Sequence, residues 1–323
     1  MDDIKVDKYR PEIKDNWDNF VEKSNNGTIF HKIQFLDYHP PDRFNFHHLI
    51  FHKQSNPIAV LPGLLNNGVF KSPAGASFGG IVMNDSSFRK ADIVVTNFLK
   101  YCESEGIKEI YLTPPPIVYS REMNRNLEYV LLYNGFSYSA NMYTSVINLS
   151  ELSEDDPISI CHQNAKSAIK KAINYDVRIE LSKDYESFYP ILLKNKEKFD
   201  VPVTHTLEEL KKLNSLIPDC FKLFLAYREG HLLGGSLIFV CNKRTLLAFY
   251  IALDYNFQEY RPINLLLYEI MKWGQQNGFR YLDLGVNQEE SENNPMEVNR
   301  GLISFKSSMG AQCFFRNQLY KKI

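Results

Sequence analysis

The sequence predicts an α/β protein, more finely α+β, of two tandem units, each a mixed, mainly antiparallel sheet flanked by helices. Three observations carry that prediction. Short apolar runs of strand length alternate with segments whose apolar residues recur at helical spacing. The run LFLAYREGHLLGGSLIFVCNKRTLLAFYIAL reads as three antiparallel strands with turns at Glu229–Gly230 and Asn242–Lys243. The pattern also repeats. The strand–turn–strand around Pro57 matches the one around Leu233, 176 residues on; Gly106 matches Gly278 at 172, and Gly135 matches Gly310 at 175. GIKEIYL thereby lies over GFRYLDL, and the boundary falls near Leu152, giving units 1–152 and 153–323.

In the first unit a helix carries Trp17, Phe20 and Val21, and Asn25–Asn26–Gly27 turns the chain. HLIFHK, QSNP and IAVLPGLL read as strand, turn and strand, and Ile81 to Met83 as another strand. Asp85 or Ser86 caps a helix whose residues Val94, Val95, Phe98, Leu99 and Cys102 share one face, and Gly106 ends it. IKEIYL is a buried strand broken by Pro114, Pro115 and Pro116. A further helix runs to Asn134–Gly135–Phe136, and YTSVINL closes the unit.

The second unit follows the acidic linker SELSEDDP. Asp156 as N-cap and Pro157 as first helical residue predict a helix with Ile158, Cys161, Ala165, Ala168, Ile169 and Ala172 on one face. A helix around Phe188, Ile191 and Leu192 comes next. Thr206 and Glu209 have the spacing of a capping box. After the three-strand run, Pro262 opens a helix burying Leu266, Leu267, Ile270 and Met271, which ends at Asn277–Gly278. FRYLDLG is the next strand. FKSSMGA and a strand ending near Tyr320 finish the chain.

Composition narrows the function. The chain has 323 residues, 44% of them apolar and 23% charged, which excludes disorder, collagen and coiled coil. With Lys plus Arg at 37 and Asp plus Glu at 38, the net charge of −1 speaks against a protein that coats DNA, which must neutralise phosphates. No apolar stretch is long enough to span a membrane, and MDDIKVDKYR lacks the apolar core of a secretory signal. The five cysteines are scattered without a CxxC pair, as in a reduced, cytoplasmic protein. Aromatic residues reach 13%, which suits a β-rich core and a groove with wet-edged aromatic walls.

The element order of each unit resembles the GNAT acyltransferase fold. YNGFSYSANMYTSVINL is similar to that family's terminal turn and last strand. HQNAKSAIKKA, RPINLLLYEIMKWGQQNGFRYLDLG and FKSSMGA resemble the tandem, FemAB-like branch of the family. The resemblance implies an N-acyltransferase that moves an acyl or aminoacyl group from an activated donor to an amine, with the second unit catalytic. Some members of the branch use charged tRNA and build peptidoglycan cross-bridges; others are acyl-CoA-dependent. It implies no tightly bound cofactor and no metal, with acyl-CoA or aminoacyl-tRNA as co-substrate. The acceptor would be a small amine or a peptide or saccharide precursor, lying in a groove between the units. The chain departs from the family at the phosphate-binding turn, Gln258–Glu259–Tyr260–Arg261–Pro262–Ile263. The turn has no glycine, Pro262 removes one N–H donor, and Glu259 adds a negative charge. The branch's long helical hairpin is also missing.

Acyl transfer needs a neutral amine, a stabilised oxyanion and a protonated leaving group. The resemblance assigns the second task to Lys306, with Phe305 packing the acyl or acceptor face. The alternative for Lys306 is a surface lysine on a final helix. Asp283 stands in an apolar strand near its C-terminal end, where α/β sheets place ligands, and is a candidate to take the acceptor's proton or bind its ammonium. A capping or salt-bridge role is equally open. Tyr250 is a candidate acid for the leaving group, with a core tyrosine as the alternative. Arg261 is positioned to pair with a donor phosphate. His162, Lys166 and Lys170 fall four apart and form one stripe, either a donor clamp or a solvated face. Asp254 and Phe78 complete the acceptor groove.

Three motifs carry no weight. Gly75–Ala76–Ser77–Phe78–Gly79 fits G-x-S-x-G, but a nucleophile elbow needs a helix directly after it, and a strand follows here. His47, His48 and His52 do not form a zinc site, because His47 faces away and the other two are roughly 13 Å apart at strand rise. Asp2, Asp3, Asp7 and Glu12 are an acidic N-terminus.

Overall fold

The computed structural model describes residues 4–54, 56–153, 156, 158–289, 294 and 296–323. The chain begins with β1 (Ile4–Lys8), α1 (Lys14–Lys23) and the single-turn α2 (Ile33–Leu36). The strands β2 (Leu49–Lys53), β3 (Asn56–Leu61), β4 (Leu64–Asn66), β5 (Val69–Ser72) and β6 (Val82–Met83) follow. Next come α3 (Phe88–Ser104), β7 (Glu109–Leu112), α4 (Asn126–Tyr133) and the long β8 (Ser137–Asn148). After the linker stand α5 (Gln163–Asn174), β9 (Arg178–Ser182), α6 (Tyr185–Glu197) and α7 (Leu207–Leu216). The meander β10 (Phe221–Arg228), β11 (His231–Val240) and β12 (Thr245–Leu253) leads to α8 (Pro262–Gln276), β13 (Tyr281–Val286), α9 (Arg300–Ser308) and β14 (Gln312–Lys322).

Two compact units result, Met1–Met142 with Phe315–Ile323, and Tyr143–Phe314. The division differs from a cut near Leu152. The second half of β8 belongs to the second unit, where it pairs antiparallel with β13 (Tyr281 opposite Asn148). The end of β14 belongs to the first unit, where it pairs antiparallel with β7 (Leu319 opposite Leu112). The first unit's sheet is thus completed by a strand from beyond its continuous stretch. Pairing of this kind is decided by which edge offers free N–H and C=O groups, and local sequence does not encode it.

In the first unit β1, β2, β3 and β6 form one antiparallel sheet, while β5 runs parallel to β7 and antiparallel to β4. Phe51, Phe70, Phe98, Val94, Val95, Ile110, Leu112 and Leu319 build its core. In the second unit β9 to β12 are antiparallel and β13 joins β12 in parallel. Its core gathers Leu265, Leu266, Ile270 and Met271 of α8 with Ala165, Ile169 and Ala172 of α5, below Ile238, Leu246 and Leu282.

Most local signals act as read. Thr206 and Glu209 make both capping-box bonds (3.1 and 2.9 Å). Two expectations are corrected. The cap expected at Asp85 or Ser86 falls on Ser87, which makes no side-chain cap bond, while Asp85 accepts the Ser87 N–H at 2.8 Å in the turn before α3. The first helix of the second unit starts at Gln163 with His162 as N-cap, and Ile158 to Ile160 form a turn before it. The His162 N–H donates to the Ser308 carbonyl at 2.8 Å, and this tertiary bond fixes where the helix can begin. Pro157, Glu154 and Asp155 of the linker, Ser55 of the early turn, and Asp2 and Asp3 lie outside the described residues.

Candidate functional site

The site is built on β12, β13 and α9 of the second unit. β12 and β13 pair only at Thr245–Tyr281, Leu246–Leu282 and Leu247–Asp283. Beyond these residues the strands continue to Leu253 and Val286 without pairing to each other, so two parallel strands part at their C-terminal ends. That is where parallel sheets place ligands. On the other side of β13 the register with β8 slips, from Asp283 opposite Val146 to Val286 opposite Thr144. The extra residue is a β-bulge. Gly285 takes φ +78° there, a left-handed conformation that a residue with a Cβ resists.

Asp283 is 1% exposed. Its Oδ1 accepts from Thr144 Oγ1 at 2.6 Å and from the Gly285 N–H at 2.7 Å. The carboxylate therefore pins the bulge. The bulge in turn presents two carbonyls, and the Lys306 ammonium donates to both, to Gly285 O at 2.9 Å and to Val286 O at 3.1 Å. Lys306 is only 4% exposed, so it is not a surface lysine. An ammonium has three N–H groups, and the carbonyls take two, which leaves one for a substrate oxygen. Burial lowers the Lys306 pKa from its ordinary 10.5 to about 8, opposed by the negative charge of Asp283. The sequence places Asp283 at a strand end and the resemblance singles out Lys306; the structure couples the two through the bulge. Asp283 acts here on the backbone of the bulge rather than as an open proton acceptor.

The other candidates are placed differently. Tyr250 is 2% exposed and stands beside a bulge at Phe249. Its hydroxyl lies 3.2 Å from the His205 backbone N–H, which donates to it, and 2.9 Å from His205 Nδ1. Burial pushes its pKa up to about 12, too high to protonate a departing thiolate with ease. Phe305 is half-buried and packs against the core of its unit. Asp254 caps the turn after β12 through the Asn256 N–H at 3.1 Å. Phe78 belongs to the first unit and is 2% exposed. Its ring is enclosed by Phe30 and Tyr119, with centroids at 5.5 and 4.9 Å, and by the Arg316 guanidinium at 5.0 Å. Such a ring is a core element, where a groove wall was expected.

Arg261 is exposed, has φ +55° and precedes Pro262, the first residue of α8. In this turn the N–H groups of Phe257, Arg261 and Asn264 donate to the carbonyls of Asp254, Gln258 and Arg261, and the Asn256 N–H goes to the Asp254 side chain. Few donors remain for a pyrophosphate. On α5, Lys166 is half-buried and Lys170 exposed, while the exposed His162 sits at the N-cap, so the stripe begins one residue before the helix.

Three residues of the second unit escaped the sequence reading. Asn287, fully buried, donates to Ser145 Oγ at 2.8 Å and to Tyr143 O at 3.2 Å, and its Oδ1 has no hydrogen-bond partner among the described residues. His205 holds Tyr250. The Lys196 ammonium lies 5.9 Å from the Tyr250 ring centroid, and burial lowers its pKa. The only signal for any of them in the sequence is the position of His205 beside the Thr206 cap. Among the described residues no group of three or more His, Cys, Asp or Glu is arranged to hold a metal. The histidines near β2 have other work: His48 accepts from the Gly63 N–H at 3.0 Å, and His52 pairs with Asp7 at 2.6 Å.

The second unit thus combines a meander of antiparallel strands, a parting pair of parallel strands and a buried cation at the parting. Residues 164–292 match the family model described as "Acetyltransferase (GNAT) domain". The fold of the chain is similar to that of FemX, with TM-score 0.73 and 12% identity over 99% of this chain and 97% of that one. It is similar to L-PGS from Bacillus licheniformis, with TM-score 0.62 and 11% identity over 97% and 92%. A tandem GNAT protein from the clavulanic acid biosynthesis pathway gives TM-score 0.55 and 8% identity over 99% and 98%. No curated protein matches the sequence. Residues 164–292 thus match a GNAT domain, and the chain shares the fold of these tandem structures. Among its described residues no helix is long and apolar enough to cross a membrane.

Proposed function

We propose that this chain is an N-acyltransferase that moves an acyl or aminoacyl group from an activated, acyl-CoA-like donor to an amine, with its active site at the β12–β13 parting. One observation carries the proposal: the buried Lys306 ammonium, held by two carbonyls with one N–H left over. The amine nitrogen attacks the donor carbonyl and forms the C–N bond. The carbonyl electron pair moves to oxygen, where Lys306 faces the new negative charge. Collapse of the intermediate breaks the C–S or C–O bond, and the proton lost by the amine ends on the leaving group. A cation aimed at a developing oxyanion in a dry site is the largest single contribution such a fold can make.

A second reading takes the acyl group from aminoacyl-tRNA and delivers it to a peptidoglycan precursor. The occupied N–H groups of the glycine-free turn favour it over a CoA pyrophosphate. The test incubates the protein with an amine panel plus either acyl-CoAs or charged tRNAs and reads mass gain in the acceptor. Transfer from acyl-CoA that survives RNase supports the first reading. Transfer only from charged tRNA, lost with RNase, supports the second. A Lys306→Ala protein as fast as the parent with either donor removes the basis of both.

A further inference from the structure

Beyond Leu247, β12 has no pairing with β13, and a bulge at Phe249 shifts the alternation of its side chains. The last turn of α6 lies against this reach. Asn195 Nδ2 donates to the Leu253 carbonyl at 3.4 Å, and the Lys196 ammonium stands 5.9 Å from the Tyr250 ring centroid. The ring is itself held, because the Tyr250 hydroxyl accepts from the His205 N–H at 3.2 Å. The parting therefore has a cation on each strand, Lys306 at the end of β13 and Lys196 over β12.

The two cations differ in their surroundings. Lys306 is 4% exposed, two of its N–H groups are spent on carbonyls, and Asp283 acts to hold its pKa up. Lys196 is half-buried, and beyond the Tyr250 ring its ammonium has no hydrogen-bond or ion-pair partner among the described residues. Its Nζ is not sealed off, so a solute can reach it. Burial lowers its pKa, and no carboxylate opposes that, Glu197 next to it included. A ring face returns only part of what a cation loses on leaving water. Partly desolvated charges without a counter-ion gather at functional sites. A positive group with three unspent N–H bonds takes an anion and repels an ammonium.

We propose that Lys196 binds the carboxylate of the acceptor, which is therefore an amino acid, its amine toward Lys306 and its acid group on Lys196. The inference rests on the reading of the parting as a transfer site and names the class of acceptor that site takes.

The test has two arms. In the first, glycine, β-alanine and 4-aminobutyrate are compared with their amides as acceptors, using the donor that supports transfer in the parent. At least one acid is expected to exceed its amide in kcat/KM by about tenfold. Lys196→Met is expected to raise the KM of that acid by about tenfold and to remove the preference, and Lys196→Arg to keep part of it. The Met variant retains the side chain's bulk and loses an uncompensated charge, so folding is not at risk. The second arm needs no turnover. The protein carries isotopically labelled lysine, and the Lys196 Cε resonance is assigned by its loss in Lys196→Met. Its pH midpoint is expected to rise when the preferred acid is added and to stay put with the amide, because a bound carboxylate favours the charged ammonium. Transfer in the parent without preference for any acid overturns the proposal, as does a preference kept in Lys196→Met or a midpoint that none of the three acids raises. A raised midpoint with no transfer to any acceptor supports the carboxylate site and overturns the reading of the parting as a place of transfer.

Discussion

The corner that follows the central helix in each unit makes an instructive pair. In the second unit α8, β13 and α9 carry Asp283 and Lys306. In the first, α3, β7 and α4 occupy the matching stretch, and the glycine anchors at 135 and 310 set Leu131 opposite Lys306. The overlay of GIKEIYL on GFRYLDL sets Tyr111 opposite Asp283. Leu131 is 3% exposed and belongs to the core of its unit. β7 runs into three prolines, whereas β13 ends in a carboxylate-pinned bulge. One frame therefore holds a buried cation in one copy and a buried leucine in the other. A buried lysine is stable only where backbone carbonyls and a carboxylate are already arranged to receive it. The difference teaches that the charge-bearing corner depends on the bulge as much as on the lysine.

The comparison breaks most plainly at Lys306. Lys306→Ala is expected to lower kcat/KM by about 10²–10³-fold with far-UV circular dichroism unchanged, the loss typical of one oxyanion donor. Leu131→Ala is expected to leave kcat alone and to destabilise the first unit by about 2–5 kcal/mol in chemical denaturation, through a core cavity. An equal loss of turnover in both variants would remove the functional asymmetry of the two corners.

Asp283→Asn sharpens the link between bulge and cation. It keeps the shape, removes the charge, and is expected to cost about 1–3 kcal/mol of stability. It also withdraws the charge that holds the Lys306 pKa up, so the high-pH limb of kcat/KM moves to lower pH. In the parent that limb descends above about pH 8, as the ammonium loses its proton. Stability responds with the opposite sign. The folded pKa is about 8 and the ordinary value 10.5, so between them the unfolded chain binds more protons, and this group's contribution to stability rises with pH. A pH–rate profile identical in parent and Asp283→Asn would separate the two residues. The smallest effect is expected for Tyr250→Phe, a loss of about 1 kcal/mol or less from the missing bond to His205, with kcat within a few-fold.

Much of this was legible before any coordinates. The repeat, the capping box at Thr206 and Glu209, and the placing of Asp283 at a strand end all follow from periodicity and turn chemistry. Lys306 came from the resemblance of FKSSMGA, and its burial could not be read from spacing. The start of α5 was misplaced because a tertiary bond to Ser308 outweighs the local capping signal at Asp156. β9 passed unseen because VRIELS is mostly exposed and offers only a weak alternation. Asn287 was invisible, since what makes it notable is an acceptor without a donor, a property of the folded surroundings.

The final strand has a bearing on biosynthesis. Residues 315–323 complete the first unit, yet they leave the ribosome after everything else in either unit. The first unit cannot finish its sheet while translation is under way, and β7 must wait with an open edge for Leu319 and its neighbours. That edge stays open to other strands until residues 315–323 have been made.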